Sequence, residues 1–136
     1  QNKEKEEKEK QKVEEIKSSI KVTKVWTATP NSAGGVDLYI NWKNLSDKVI
    51  KYAYFTVVPY NSVNDTVTCT IRNYSNFTAQ DEGPYNKGQG TNGTGYYWEN
   101  AWYNHSIKGA KLKSVRIIYM DGTSLDIPEK YIEYIK

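Results

Sequence analysis

The sequence predicts an all-β fold, an antiparallel β-sandwich of about seven short strands that follows a charged helix. Segments alternating apolar and polar residues recur along the chain and are separated by turn residues, as in sandwiches. Tyr, Thr, Val and Ile suit half-buried pleated surfaces, and aromatic residues make up 13% of the chain. Helical patterns do not alternate with the strands, which disfavours an α/β fold.

The N-terminal segment is rich in Lys and Glu and predicts a helix. It begins QNKEKEEKEKQKVEEIK, in which Glu4 precedes Lys8 by four residues, the favourable order on a helix. An apolar seam, too short for a coiled coil, consists of Val13, Ile16 and Ile20. We expect a solvated helical spacer over residues 1–19 and one sandwich domain over residues 20–136.

The first strands show a period of two. In IKVTKVWTAT (20–29), Val22 and Trp26 share a face, and we expect Trp26 near the core; PNSAGG (30–35) then supplies a turn. The clearest alternation is VDLYINWKN (36–44). Its inward face consists of Val36, Leu38, Ile40 and Trp42, and its outward face of Asp37, Tyr39, Asn41 and Lys43.

The middle of the chain predicts two strands and a long loop. The first is KVIKYAYFTVVPYN (48–61), with Pro59 marking an edge or a strand end because proline lacks an N–H. Its inward residues are Ala53, Phe55 and Val57. The second is TVTCTIRN (66–73), whose aligned residues are Val67, Cys69 and Ile71. Residues 73–95 are rich in Gly, Asn and Pro, so we expect a functional or mobile loop there.

The C-terminal region predicts a hairpin. KGAKLKSVRIIYMDGTSLDI (108–127) contains two strands joined at Asp121-Gly122, a strong hairpin signal. Its inward residues are Val115, Ile117, Tyr119, Leu125 and Ile127. Pro128 followed by Glu129 favours a short terminal helix, with an extended tail as the alternative.

Charge and composition exclude several classes of partner. The net charge of +3 comes from Lys residues that are scattered or mixed with Glu, so no basic stripe indicates nucleic-acid binding. The chain has one cysteine, and no metal-ligand or cofactor motif, so we expect no metal and no cofactor. No apolar run approaches the roughly 20 residues that span a bilayer. Because the chain starts at Gln, we expect any membrane attachment to come from a segment absent from it.

Residues suited to catalysis are few, and we expect no enzyme. His105 is the single histidine and stands in a polar turn, without a nucleophile motif around it. A glycosidase would need two carboxylates across a cleft, and the grouping to consider is Asp81 and Glu82 with Glu99.

The aromatic cluster YYWENAWYN (96–104) is the candidate ligand-binding segment. It supplies the candidate binding residues Tyr97, Trp98, Asn100 and Trp102. One interpretation buries the tryptophans in a small core, where large aromatic side chains dominate. The other leaves a ring exposed, where a sugar stacks on it and an amide binds the hydroxyl groups.

Three segments carry a resemblance to a known family. VDLYINWKNLSDKVIKYAYFTVVPYN, YYWENAWYN and LKSVRIIYMDGT resemble a bacterial cell-surface domain-of-unknown-function family, which is related to the FxLYD-type immunoglobulin-like sandwiches. The shared strand–turn–strand core corresponds here to Asn44, Ser46, Asp47 and Lys48, and the most specific segments are PYN (59–61) and WENAWYN (98–104). The resemblance covers residues 21–127 and implies an immunoglobulin-like β-sandwich in the cell envelope of a Gram-positive-type bacterium, without implying an activity.

These observations lead to one expected function and one alternative. We expect a non-catalytic extracellular module of a membrane- or wall-anchored bacterial protein, which contacts another envelope protein or spaces other domains. The alternative is binding of a carbohydrate or cell-wall polymer through an exposed aromatic cluster. Fold analogy by itself does not decide between them.

Overall fold

The structure is a computed structural model that describes residues 2–136, and its elements follow the predicted order. Helix α1 spans Asn2–Lys17, and a 3₁₀ helix spans Glu129–Ile135 at the C-terminus. Between them lie the strands β1 (Ile20–Thr27), β2 (Gly35–Asn44), β3 (Ile50–Tyr60), β4 (Phe77–Tyr85), β5 (Tyr97–Tyr103), β6 (Gly109–Tyr119) and β7 (Ser124–Ile127).

The strands form two antiparallel sheets that enclose one core. The three-stranded sheet has the order β1-β2-β5, and the four-stranded sheet has the order β4-β3-β6-β7. Trp42 of the first sheet packs on Phe55 of the second, with ring centroids 5.5 Å apart. The expectation of an antiparallel, sandwich-like β fold with an N-terminal helix is therefore confirmed.

The period-two segments fold as predicted. Val36, Leu38, Ile40 and Trp42 of β2 are fully buried, as are Ala53, Phe55 and Val57 of β3. The β6–β7 hairpin turns at Asp121-Gly122, where Gly122 has a φ of 89° that favours glycine. Alternation is reliable here because each of these strands is buried on one face along most of its length.

The fourth strand lies in a different place from the predicted one. Residues 66–73 form an isolated bridge at Thr66, irregular chain and a turn at 70–72 instead of a strand, and Ile71 is 64% exposed. β4 is FTAQDEGPY, inside the segment expected to be a loop, where it pairs with β3. Its sequence gives little strand signal because only Ala79 and Asp81 are buried, and Pro84 is tolerated since β4 is an edge strand.

Part of the rest of the expected loop lies beside β2 and extends its sheet. The N–H of Asn44 donates to the carbonyl of Gln89 (2.8 Å), and the N–H of Asn92 donates to that of Trp42 (3.1 Å). Gly90 lies so close to β2 that an added Cβ would be 2.1 Å from the Trp42 carbonyl oxygen. Only glycine permits this approach.

Trp26 lies on the outer face of its sheet, so the expectation that it joins the core is wrong. The pairing of β1 with β2 shifts register between Val22 and Lys24, which places an extra residue in β1. Before the shift, Val22 faces inward opposite Trp42; after it, Trp26 lies opposite the outward Tyr39. A bulge reverses the alternation of every later residue in the strand.

Helix α1 forms as predicted, but one side of its last turn is buried. Residues 2–11 are exposed, whereas Ile16 is fully buried. The hydroxyl of Tyr131 donates to a carboxylate oxygen of Glu9 at 2.6 Å, and the Lys17 ammonium lies 5.5 Å from the ring centroid of Tyr134. The C-terminal part of the spacer is thus packed against the 3₁₀ helix.

We expect Ile16→Ala to lower the free energy of unfolding by about 2–5 kcal/mol, because it removes a buried side chain and leaves a cavity. Lys10→Ala, on the exposed part of the same helix, is the control and should change it by about 0.5 kcal/mol or less. Urea unfolding followed by tryptophan fluorescence measures both values. Equal, small effects would show that α1 is not docked in solution.

Candidate functional site

The aromatic cluster lies on β5, and a bulge in this strand disturbs the alternation between Trp98 and Trp102. In the pairing with β2, Val36 lies opposite Trp102 and Leu38 opposite Trp98. Three residues of β5 therefore lie opposite Asp37 alone. Asn100, at the centre of the bulge, has a φ of 49°, a conformation that asparagine tolerates. Simple alternation fails here, so the consecutive residues Ala101 and Trp102 are both fully buried.

Trp102 belongs to the core. Its exposed fraction is 0%, and its ring centroid lies 5.7 Å from that of Phe77. Its indole N–H donates to the carbonyl oxygen of Ser75 at 2.7 Å, which satisfies its one polar group. Trp102 therefore contributes to packing and offers no surface to a ligand.

Asn100 is held by its neighbours rather than presented to solvent. Its backbone N–H donates to a carboxylate oxygen of Asp37 at 2.9 Å. Its side-chain Oδ1 is buried and has no hydrogen-bond partner within residues 2–136. The same atom lies against Gly35, where an added Cβ would be 2.3 Å away. The amide oxygen is thus turned toward the protein.

Three aromatic residues at the start of β5 form what we call the aromatic corner: Tyr96, Tyr97 and Trp98. Tyr96 is 48% and Tyr97 is 46% exposed, whereas Trp98 is half-buried. Tyr96 packs edge-on against Trp98 with centroids 5.0 Å apart, and the Trp98 indole N–H donates to the Gln80 carbonyl at 3.1 Å. The corner joins the edge of one sheet to the edge of the other and leaves two tyrosines accessible.

Tyr97 also ends a row of rings that crosses the outer face of the three-stranded sheet. The centroids of Trp26 and Tyr39 are 4.9 Å apart with an angle of 13° between the rings, and those of Tyr39 and Tyr97 are 5.2 Å apart. This spacing matches the distance between strands, so the rings stand on the sheet and cover one another's faces. The Lys24 ammonium lies 4.5 Å from the Trp26 ring. The row is therefore a self-stacked ladder and not a flat platform.

Only part of this row could be predicted from the sequence. Tyr39 is outward in the period-two pattern of β2, so its position was predictable. The position of Trp26 depends on the bulge in β1, for which the sequence has no local signal.

The remainder of the β5 edge is covered by the loop that precedes β4. Thr70 donates to the Tyr103 carbonyl from its N–H (2.8 Å) and from its hydroxyl (2.7 Å). The Tyr74 hydroxyl donates to the Ala101 carbonyl, and the Tyr103 N–H donates to the Cys69 sulfur at 3.4 Å. These contacts leave residues 97–99 as the accessible part of the edge.

Asp81 and Glu82, two of the three carboxylates considered for catalysis, do not face each other, and the third, Glu99, is exposed on β5. Asp81 and Glu82 are neighbours on β4 and alternate, so Asp81 is buried (2% exposed) and Glu82 is exposed on the opposite face. His105 is exposed in the turn after β5. Within the described residues 2–136, no group of three His, Cys, Asp or Glu side chains is placed to hold a metal ion.

Asp81 instead links the two sheets from inside. It accepts a hydrogen bond from the Trp42 indole N–H at 2.9 Å and another from the Tyr85 hydroxyl. Burial raises the pKa of Asp81, and the hydrogen bonds from Tyr85 and Trp42 offset part of this effect. Burial and the bond to Asp81 also raise the pKa of Tyr85. The arrangement is suited to structure rather than to proton transfer with a substrate.

We expect Trp102→Ala to lower the free energy of unfolding by about 3–5 kcal/mol, because it empties a fully buried site. Tyr97→Ala should cost about 1 kcal/mol, since it loses one stacking contact and little buried area. Urea unfolding of both variants measures the difference. Similar costs for the two variants would contradict the assignment of Trp102 to the core and Tyr97 to the surface.

The buried Asp81 predicts a particular dependence of stability on pH. Its folded-state pKa is raised, so the unfolded chain loses this proton at a lower pH than the folded chain. Its contribution to stability is therefore largest below the unfolded pKa of about 4 and falls as the pH rises toward the folded pKa. The difference in unfolding free energy between the native chain and Asp81→Asn should decrease between about pH 3 and pH 6.

Asp121→Asn is the control of opposite sign. The hydroxyl and the N–H of Thr123 lower the pKa of Asp121, so its contribution is present above the unfolded pKa and is lost as the pH falls through the lowered pKa. The corresponding difference should increase as the pH rises from about 2 to 5. Equilibrium urea unfolding at each pH gives both curves, and two curves of the same sign would refute the assignment for Asp81.

Comparison with known proteins leaves the family open. No protein-family model, curated protein or solved structure gave a significant match to the chain. Membership of the cell-surface family therefore stays a prediction that rests on segments such as WENAWYN (98–104). Among the described residues, no helix combines the length and apolar character that crossing a bilayer requires.

Proposed function

We propose that the chain is a non-catalytic extracellular module of a membrane- or wall-anchored bacterial protein, and that it binds a protein partner through the aromatic corner. The envelope location rests on the resemblance of the strand segments and on the charged N-terminal helix. In this proposal the exposed half of that helix holds the domain away from the surface to which it is anchored.

The proposed fold type is an immunoglobulin-like sandwich, and the strand order supports it. If β1 to β7 are lettered A to G, one sheet contains strands A, B and E and the other contains C, F and G together with D. Constant-type immunoglobulin domains have the same two sets, with the fourth strand beside E. Here β4 pairs with β3 instead, so the fourth strand has changed sheets.

The observation that carries the protein-binding proposal is the exposure of two adjacent tyrosines at the accessible part of a sheet edge. Tyr96 and Tyr97 are each about half exposed, and residues 97–99 have no strand on their outer side within the described chain. Tyrosine is enriched at protein interfaces because it combines apolar area with a polar tip. An edge this short limits pairing to a few backbone hydrogen bonds, so the rings supply most of the contact.

Carbohydrate binding is the second candidate, and the position of Tyr97 favours it. Tyr97 is the last ring of the stacked row, so its outer face has no ring against it within residues 2–136. A sugar can stack on such a face. However, Trp102 is buried and the Asn100 amide oxygen is turned inward, which leaves Tyr97 and Trp98 of the predicted sugar contacts.

The test is retention of the purified chain on three envelope fractions: membrane proteins, peptidoglycan and wall polysaccharide. We expect retention on the protein fraction, and at least about a tenfold loss of affinity in Tyr96→Ser/Tyr97→Ser. Tyr52→Ser/Tyr54→Ser is the matched control, because these paired rings (6.1 Å) lie on the outer face of the other sheet. Circular dichroism verifies the folding of both variants.

Each result discriminates between the candidates. If the native chain is retained on a glycan fraction and the Tyr96→Ser/Tyr97→Ser variant is not, the ligand of the aromatic corner is a carbohydrate and not a protein. Retention that both double variants keep would show that the aromatic corner is not the binding surface.

A further inference from the structure

A groove of about 1070 Å³ lies beside the strand at the other edge of the three-stranded sheet. It is bordered by β1, β6 and the terminal 3₁₀ helix, and it is open to solvent on one side. β1 and β5 are the two outer strands of that sheet, so the groove and the aromatic corner are separate surfaces.

The lining of the groove is divided by burial into an apolar floor and a charged rim. The floor consists of Val22, Val25, Val58, Ala110, Leu112 and Ile132, all of them buried or half-buried. The rim carries the exposed side chains of Lys24, Lys111, Lys113, Lys130 and Lys136. Two acidic residues, Glu129 and Glu133, also lie on it, so the positive charge is in excess.

The charge of the rim is not neutralised within the chain. The three salt bridges among the described residues use Lys48, Lys87 and Arg116, and none uses a lysine of the groove. Lys111 and Lys130 lie over the rings of Tyr60 and Tyr131, at 5.2 and 4.8 Å from the centroids. Such contacts hold an ammonium in place without cancelling its charge, so it remains able to bind an anion.

We propose that this groove binds an extended acidic peptide segment of a partner protein, in which acidic and apolar side chains alternate. The alternation places one set of side chains on the apolar floor and the other against the lysines. An inorganic polyanion would use only the lysines, and an acyl chain would need an enclosed cavity rather than an open groove. The peptide therefore uses both parts of the lining.

Recognition in the groove depends on side chains more than on strand pairing. The edge of β1 carries a bulge after Val22, and Lys21 and Lys24 are exposed on this strand. Bulges and lysines on an edge strand oppose the addition of another strand. The apolar floor and the charges must then supply the affinity.

The test uses fluorescein-labelled synthetic peptides and fluorescence anisotropy on the whole chain. A peptide alternating Glu and Leu should bind, more weakly at high salt. A Glu–Ser peptide should bind at least about tenfold more weakly, because it has no apolar side chains, and a Lys–Leu peptide should not bind. If no peptide binds, or if inorganic polyphosphate binds as tightly as the Glu–Leu peptide, the proposal is overturned.

Two variants locate the binding. Lys111→Glu/Lys113→Glu/Lys130→Glu should weaken binding of the Glu–Leu peptide by at least about tenfold, since three attractive charges become repulsive ones. Lys3→Glu/Lys5→Glu/Lys10→Glu on the exposed part of α1 makes the same change in net charge and should leave binding nearly unchanged. Equal effects of the two triple variants would show nonspecific electrostatic attraction and overturn the proposal.

Leu112→Gln tests the apolar floor at a half-buried position. It should weaken binding of the Glu–Leu peptide and leave binding of the Glu–Ser peptide unaffected. Equal effects on both would contradict a role for the floor.

The inference rests on the proposed function in that it requires a protein partner. Tyr96→Ser/Tyr97→Ser leaves the groove intact, so failure of the aromatic corner and failure of the groove give different results.

Discussion

The indole N–H of Trp42 has to find an acceptor in the middle of the core, and much of the structure follows from this requirement. An unsatisfied buried donor costs about 1–3 kcal/mol. Trp42 lies on the three-stranded sheet, whereas its acceptor, Asp81, lies on β4 of the other sheet. The Tyr85 hydroxyl satisfies the same carboxylate, and the Tyr85 ring packs edge-on against Trp42 at 4.9 Å. One hydrogen-bonded group of three residues therefore connects the two sheets inside the core. It also explains why an edge strand of polar sequence carries a buried carboxyl group.

The exposed aromatic ladder depends on a bulge in β1 rather than on the composition of that strand. In β1 the extra residue after Val22 moves Trp26 from the core to the outer face. In β5 the bulge around Asn100 inserts two residues, so Trp98 and Trp102 both lie opposite inward residues of β2 while Tyr97 stays outside. Without the bulge in β1, the side chains that follow it would exchange faces. An even number of inserted residues, as in β5, leaves the later alternation unchanged. The ladder of Trp26, Tyr39 and Tyr97 therefore depends on the irregularity of β1.

Strands that are buried on one face along their whole length could be predicted from the sequence. Segments that depart from that pattern could not. Val36 to Trp42 and Ala53 to Val57 alternate without interruption, so their strands and inward faces were predictable. β4 was missed because its inward positions are Ala79 and Asp81, and a buried carboxylate looks like a loop residue. Val67, Cys69 and Ile71 alternate like a strand, yet this segment covers the β5 edge and leaves Ile71 in solvent. For the candidate site, the sequence pattern left burial and exposure of the tryptophan rings as two open outcomes. The inward turn of the Asn100 amide depends on a φ of 49°, which a sequence pattern does not show.

Helix α1 is attached to the sandwich through a short and partly buried connection. Two residues, Ser18 and Ser19, separate the helix from β1, and Ser19 is itself buried, with its hydroxyl bonded to the Ile16 carbonyl at 2.6 Å. A helix of 16 residues is about 24 Å long. A force on its exposed end therefore acts on Ile16 and Ile20 inside the core, because no flexible linker separates the helix from the sandwich. The domain points in a direction set by its helix, and both of its candidate surfaces turn together when that helix tilts.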